Sequence, residues 1–213
     1  MMGILESIKR FFVLPEKDND ILKSNCFKVD YLVIDLELTG LNAKQDEIVS
    51  IAWVPISHQR IQIGQCQHFI NNQVSNLNQS PVFHGIDNTT IAAGVPLNEA
   101  LKALNELLDD KILIFHNQQL DWGFLRIAFN KAGLLHKPLA ILDTMNIEHK
   151  RLARQGHVIA QDSLTLSSCR ERYRLPEYNC HNALTDAMAT AELFLAQANQ
   201  ISRGKPLLVK HLM

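Results

Sequence analysis

The run Val33-Ile34-Asp35-Leu36-Glu37-Leu38-Thr39-Gly40 constrains the fold more than any other stretch of this chain. Its apolar content marks a core strand, yet it carries two acids. Side chains of a strand alternate between faces, so Asp35 and Glu37 share one face with Val33, while Ile34, Leu36 and Leu38 take the other. Each carboxylate raises the cost of ionising its neighbour. A divalent cation is the natural group to offset that repulsion.

The flanking pattern sets this strand in a sheet. Strand-like runs over residues 29–38, 47–56 and 60–70 are joined by the short polar turns NAKQD and SHQ, which favours an antiparallel meander. A polar, Pro-ended stretch over 71–81 reads as a surface loop. Pro96 then opens a helix with Leu97, Leu101, Leu104 and Leu108 on one stripe, followed by the short buried strand KILIF. A helix from about Leu120 to Lys131, closed by Gly133, precedes a strand at LAILD and a helix through Arg154. Further helices fall near 164–173 and 182–200. The order predicts an α/β fold with a central mixed five-stranded sheet, three strands in a meander plus two more, flanked by helices. The boundaries predicted are an N-terminal amphipathic helix and linker over 1–28, one domain over 29–201 and a C-terminal tail over 202–213.

With a net charge of −1, no global field advertises nucleic-acid or membrane binding, so such a role must rest on local features. Basic residues cluster at 149–154 and 170–174, where a solvated helix face competes with a phosphate-tracking surface. Cys26, Cys66, Cys169 and Cys180 have no zinc-site spacing and read as reduced thiols, which places the chain in the cytoplasm. No apolar run is long enough to span a membrane. Ile4, Leu5, Ile8, Phe11 and Phe12 follow helical spacing, but Glu6, Ser7, Lys9 and Arg10 break any signal-peptide core. That segment reads as an amphipathic helix that packs on the domain, or else docks a partner or lies on a membrane surface.

Two further stretches carry chemistry. Phe115 to Leu125, FHNQQLDWGFL, begins where a predicted strand ends, the place where open α/β sheets hold ligands. Asp121 falls in the first turn of the next helix, where the helix dipole alone is a sufficient reason for an acid. The stretch CHNALTDAMATAELFLAQ holds Asp186 early in a tightly packed helix and His181 five positions before it. Five positions on a regular helix turn roughly 140°, so the two serve one site only if His181 lies in the loop and Asn182 caps the helix.

In this order, DxExTG, HNxxxD and HxxxxD resemble the motifs of the DEDDh exonucleases, the 3′–5′ exonucleases related to the proofreading epsilon subunit of bacterial replicative DNA polymerase. The resemblance runs from about Asp30 to Gln200 and extends to His84-Gly85-Ile86, to Asp143-Thr144 and to ALTDAMATAELFL. It implies a ribonuclease H-like fold and a metal-dependent 3′–5′ exonuclease acting on single-stranded 3′ ends, DNA favoured, in proofreading or repair. Its two Mg²⁺ or Mn²⁺ ions would be held by Asp35, Glu37, Asp121 and Asp186. Asp35 would bridge them, Glu37 and Asp186 would complete one site, and Asp121 would serve the other. His181 would be the general base. The resemblance further puts the backbone of Thr39 and Gly40, together with His116 and Asn117, on the substrate side. Leu41 and Phe124 are candidates to contact terminal bases, against core packing as the other reading of Phe124. Leu36 and Leu38 stand where many relatives have Thr, and Leu120 where they have Phe. DLELTGL also resembles oligoribonucleases, so trimming of RNA 3′ ends is one alternative. A non-catalytic nucleic-acid-binding or polymerase-associated module is another, with a DNA polymerase or other protein held through residues 1–28 or the tail.

Overall fold

The computed structural model describes residues 20–77, 80–134, 138–156, 158–178 and 181–213. The amphipathic segment expected over residues 4–12, and Cys180, lie outside them. In chain order the strands and helices are β1 (Tyr31–Leu38), β2 (Ile48–Ser57), β3 (Arg60–Ile61), β4 (Gln67–Ile70), α1 (Pro81–His84), α2 (Asn88–Ala92) and α3 (Leu97–Asn105). There follow β5 (Ile112–Phe115), α4 (Gln118–Lys131), β6 (Ile141–Asp143), α5 (Thr144–Arg154), α6 (Leu166–Arg172) and α7 (Ala183–Ser202).

The strands form one mixed sheet. β1 pairs antiparallel with β2 and parallel with β5, β5 runs parallel to β6, and β3 and β4 both pair with the other edge of β2. The sheet has six strands where the sequence predicts five, because the third strand is broken by a 3₁₀ turn at Ile63–Gln65. Gly64 offers no side chain to a strand face, and the Cys66 N–H bonds back to the Ile63 carbonyl at 3.2 Å. A second difference lies after the polar loop, where α1 and α2 replace irregular chain. Pro81 starts the first, and Asp87 caps the second by accepting from the Thr90 N–H at 2.8 Å. Helices of about one turn are too short to leave a periodic signal.

The alternation of β1 divides the interior into two cores. Tyr31 and Val33 join Ile112, Ile114 and Leu142 under α7, whose Ala187, Ala191, Phe194 and Ala198 face them. Leu32, Ile34 and Leu36 join Leu113 and Phe115 under α3 and α4. The described parts of the predicted linker and tail belong to the first core. Cys26, Leu207, Val209 and Leu212 are buried there, and the Cys26 N–H donates to the Leu207 carbonyl at 2.7 Å. Because β1, β5 and β6 are parallel, their C-terminal ends gather Asp35, Glu37, the start of α4 and the start of α5 at one edge.

Candidate active site

Asp35 and Glu37 continue the row of Tyr31 and Val33, and lie opposite Ala52 and Ser50 of β2. The helix over this row is α7, and its fully buried Ala183 and Ala187 let its backbone come close to the sheet. Asn182 caps it by accepting from the Thr185 N–H at 3.2 Å, as expected, and this fixes Asp186 in the first turn. Asp35, Glu37 and Asp186 each bring an oxygen within 4.8 Å of the other two. Burial holds the Asp35 carboxyl well above the usual carboxylate range, and the charges of Asp121, Asp186 and Glu37 add to it. Burial followed by the charge of Asp186 pushes Glu37 up to about 7. Asp186 is also raised by burial, opposed by the His181 N–H and by the charges of His181 and Arg170. Its Oδ1 is buried with no hydrogen-bond partner among the described residues. Clustered, mutually repelling oxygens with a buried oxygen left over are what a hard divalent cation requires, so the donor set fits Mg²⁺ or Mn²⁺.

Asp121 stands beside this trio and outside its three-oxygen cluster. It is 5% exposed, in the first turn of α4. Burial raises its carboxyl, against the N–H groups of Asp121 and Leu36, with the charges of Asp143 and Glu37 adding to the rise. The start of α4 is held by Asp143, which sequence reasoning noted only as a motif match. Its carboxylate accepts from the N–H groups of Asn117 at 3.0 Å, Gln118 at 3.1 Å and Met145 at 2.9 Å. One buried side chain thereby ties β6, α4 and α5 together. Asp143→Ala should cost about 2–4 kcal/mol in urea unfolding, the price of leaving several N–H groups without an acceptor. An unchanged urea midpoint would mean that these donors find other partners.

His181 sits in the loop before α7, exposed, with φ 71°, and its backbone N–H donates to Asp186 Oδ2 at 2.9 Å. Leu41 is 81% exposed beyond the end of β1. Thr39 closes the β1–β2 loop, its Oγ1 accepting from the Glu47 N–H at 2.9 Å. A Cβ at Gly40 would meet the Asp46 carboxylate at 2.5 Å, so a larger residue there would have to displace that side chain from its bond with the Asn42 N–H. His116 is tied to the scaffold through both ring nitrogens, Nδ1 to Thr144 Oγ1 at 2.8 Å and Nε2 to the Leu164 carbonyl at 3.0 Å. Asn117 takes the left-handed conformation, φ 79°, that turns β5 into α4. Phe124 corrects its assignment to the substrate side. It is 3% exposed in the core between α4 and the sheet, which favours the packing reading over a base contact.

The basic clusters are largely committed internally. Glu148, fully buried, pairs with Arg151 at 2.6 Å and Arg172 at 3.5 Å and accepts from the Tyr173 hydroxyl at 2.8 Å. Arg170 is 4% exposed and pairs with Glu192 at 2.8 Å. Two further histidines lie outside the predicted set of site residues. His68 lies across Ala52 in the row of Asp35, and His84 uses Nδ1 to accept from the Ile86 N–H at 3.0 Å. The Nε2 atoms of both are buried without a partner among the described residues. Burial lowers the His84 pKa, and the charge of His181 lowers it further. Only strand register reveals the first of these.

Residues 32–194 match the RNase T family model, described as exonuclease. The chain is 26% identical over 174 residues to the DNA polymerase III PolC-type of Caldanaerobacter subterraneus subsp. tengcongensis, covering 81% of this chain and 12% of that protein. It is 30% identical over 163 residues to the protein of the same name in Listeria welshimeri serovar 6b, covering 76% and 11%. With the 3′-5′ exonuclease DinG of Staphylococcus haemolyticus it shares 27% over 165 residues, covering 78% and 18%. This chain thus spans less than a fifth of the length of these relatives. Among solved structures, cell-death related nuclease 4 superposes with a TM-score of 0.68 at 16% identity, covering 80% of this chain and 64% of that one. E. coli exonuclease I in complex with a dT13 oligonucleotide gives 0.65 at 16% identity, covering 78% and 40%. Both superpositions carry the fold alone, and that fold is ribonuclease H-like.

Proposed function

The chain belongs to the RNase T exonuclease family, and from that premise we propose that it is a metal-dependent enzyme hydrolysing phosphodiesters from the 3′ end of single-stranded nucleic acid, DNA favoured. The observation that carries this reading is the convergence of Asp35, Glu37 and Asp186 from two elements far apart in sequence, each raised in pKa by burial and by its neighbours. In this reading those three acids hold one divalent cation, and Asp121 with Asp35 holds a second. Bound there, Mg²⁺ or Mn²⁺ supplies charge neutralisation at the phosphate, a more acidic attacking water and stabilisation of the leaving 3′-oxygen.

The protein's own groups do the rest. His181 accepts the proton of the attacking water, and its exposed position lets the proton pass on to solvent. Its backbone N–H holds Asp186 in place during that transfer. Leu41, apolar and exposed, offers the terminal base a sequence-tolerant contact. The backbone at Thr39 and Gly40 lies beside it, on a loop braced by Glu47 and Asp46.

A reducing compartment, the cytoplasm, suits the free thiols of Cys26, Cys66 and Cys169. Among the described residues no helix is long and apolar enough to cross a membrane. A polymerase or other protein partner would be reached through residues 1–28 or the tail, in whose described parts Asn25 and Leu208 form a β-bridge.

The test is a ladder assay. The protein is incubated with 5′-labelled single-stranded DNA and with RNA of the same sequence, in Mg²⁺, in Mn²⁺ and in chelator. The expected result is metal-dependent shortening from the 3′ end, faster on DNA. Faster loss of RNA would replace the DNA preference with an oligoribonuclease-like role, and no shortening of either strand would overturn the enzymatic reading.

A further inference from the structure

His181 is exposed and in the left-handed region, and its backbone N–H donates to Asp186 Oδ2. A base must nevertheless be held in a narrow range of positions to be effective. The described chain leading towards it, which ends at Tyr178, is itself restrained. Arg170, buried in α6, donates from Nη1 to the Ala189 carbonyl of α7 at 2.5 Å and from Nη2 to the Pro176 carbonyl at 2.8 Å. The same Nη2 reaches Glu192 Oε2 of α7 at 2.8 Å. The guanidinium lies over the ring of Tyr178, 4.6 Å from its centroid, and the Tyr178 hydroxyl donates to the other oxygen of Glu192 at 2.9 Å.

Three side chains thus close a ring of contacts. A planar cation is stacked on an aromatic face and paired with a carboxylate, and that carboxylate is shared with the hydroxyl of the same aromatic residue. The ring joins α6, α7 and the segment at Pro176–Tyr178, which ends three positions before His181. Its energetic cost argues for a purpose. Arg170 is almost wholly removed from water, and its Nε is buried with no partner among the described residues. A cavity of about 400 Å³ separates the segment from α6 and reaches Asp186, so packing alone does not hold the segment down.

We propose that Arg170, Tyr178 and Glu192 are positioning residues, a stacked and ion-paired clamp that anchors the approach to His181 and so sets its imidazole beside Asp186. The proposal rests on the reading of His181 as the base. Tyr178 is the residue to vary, because it is partly exposed and its truncation opens no core.

Single-turnover rates and KM are measured on a 5′-labelled single-stranded DNA in Mn²⁺ for the parent, Tyr178→Ala, Tyr178→Phe, His181→Ala and the Tyr178→Ala/His181→Ala double variant. Tyr178→Ala should lower the rate roughly 10- to 100-fold, the effect of misplacing a catalytic group by about an ångström, with KM nearly unchanged. Tyr178→Phe, which keeps the stacked ring, should recover part of that loss. The double variant should be no slower than His181→Ala, because a clamp that acts through His181 has nothing left to position. An equal further loss on the His181→Ala background would show general damage and overturn the clamp. A parental rate in Tyr178→Ala with an impaired His181→Ala would overturn the clamp and leave the base standing. A parental rate in His181→Ala would overturn the base assignment itself.

Discussion

Asp35→Asn is expected to abolish nuclease activity while the metal-free protein melts within about 3 °C of the parent, a shift worth roughly 1 kcal/mol for a chain of this size. The two halves of that result have one cause. Burial and the charges of three other acids hold the Asp35 carboxyl well above the usual range, so without metal the fold favours its neutral form over its ionised one. A protonated carboxylic acid and an amide have nearly the same shape and the same neutral charge, so the fold loses little. The active enzyme needs the same group ionised, to share positive charge with a bound cation. Losing about 4 kcal/mol of charge stabilisation at the phosphate is roughly a thousandfold in rate. Mn²⁺ at about a hundred times its Kd should stabilise the parent by about 2.7 kcal/mol and the variant by far less. Circular-dichroism melts in chelator and in Mn²⁺, beside the ladder assay, check all of this. A variant that keeps its rate, or gains as much stability from Mn²⁺ as the parent, would remove Asp35 from the metal site.

The order of the acids was legible in the sequence because each sits at a local signal. Alternation in β1 puts Asp35 and Glu37 on one face whatever covers that face, and the Asn182 cap fixes where α7 starts and hence where Asp186 points. What escaped depends on contacts between distant segments. Apolar residues run almost all round α4, from Leu120 and Trp122 to Phe124, Leu125, Ile127 and Phe129, so spacing cannot say which side meets the sheet. The structure turns Phe124 inward, towards the packing reading. Asp143 stands in the sequence only as part of a motif match, yet two of its three bonds reach back to residues 117 and 118. Gly40 is consistent with an approaching nucleotide, but the atoms nearest the place of a Cβ there belong to the side chain of Asp46, six residues on. Arg170 sits in a run of charge that resembles a solvated face, and nothing local separates it from its exposed neighbour Glu171. In each case the missing information is the partner, which only the fold supplies.

Glu37 gives the acid cluster a signature in stability as well as in rate. Its carboxyl is pushed from an ordinary 4.5 up to about 7 in the folded protein, first by burial and then by the charge of Asp186. The folded state therefore binds a proton that the unfolded chain releases, and between these two values stability falls as pH rises. Below about 4.5 both states hold the proton, and above about 7 neither does, so the contribution is flat on both sides of that window. The full shift corresponds to about 3 kcal/mol, and because part of the carboxylate reaches water the expected loss is about 1–3 kcal/mol. Glu37→Gln removes the titrating group, so urea unfolding in chelator should give a variant more stable than the parent by about that amount near pH 8 and equal to it near pH 4. Saturating Mn²⁺ should reverse the order at the higher pH, because only the parent offers the cation a third carboxylate. A variant no more stable than the parent near pH 8 would mean that Glu37 ionises freely in the fold. The repulsion within the cluster would then be too weak to serve as the force that a metal relieves.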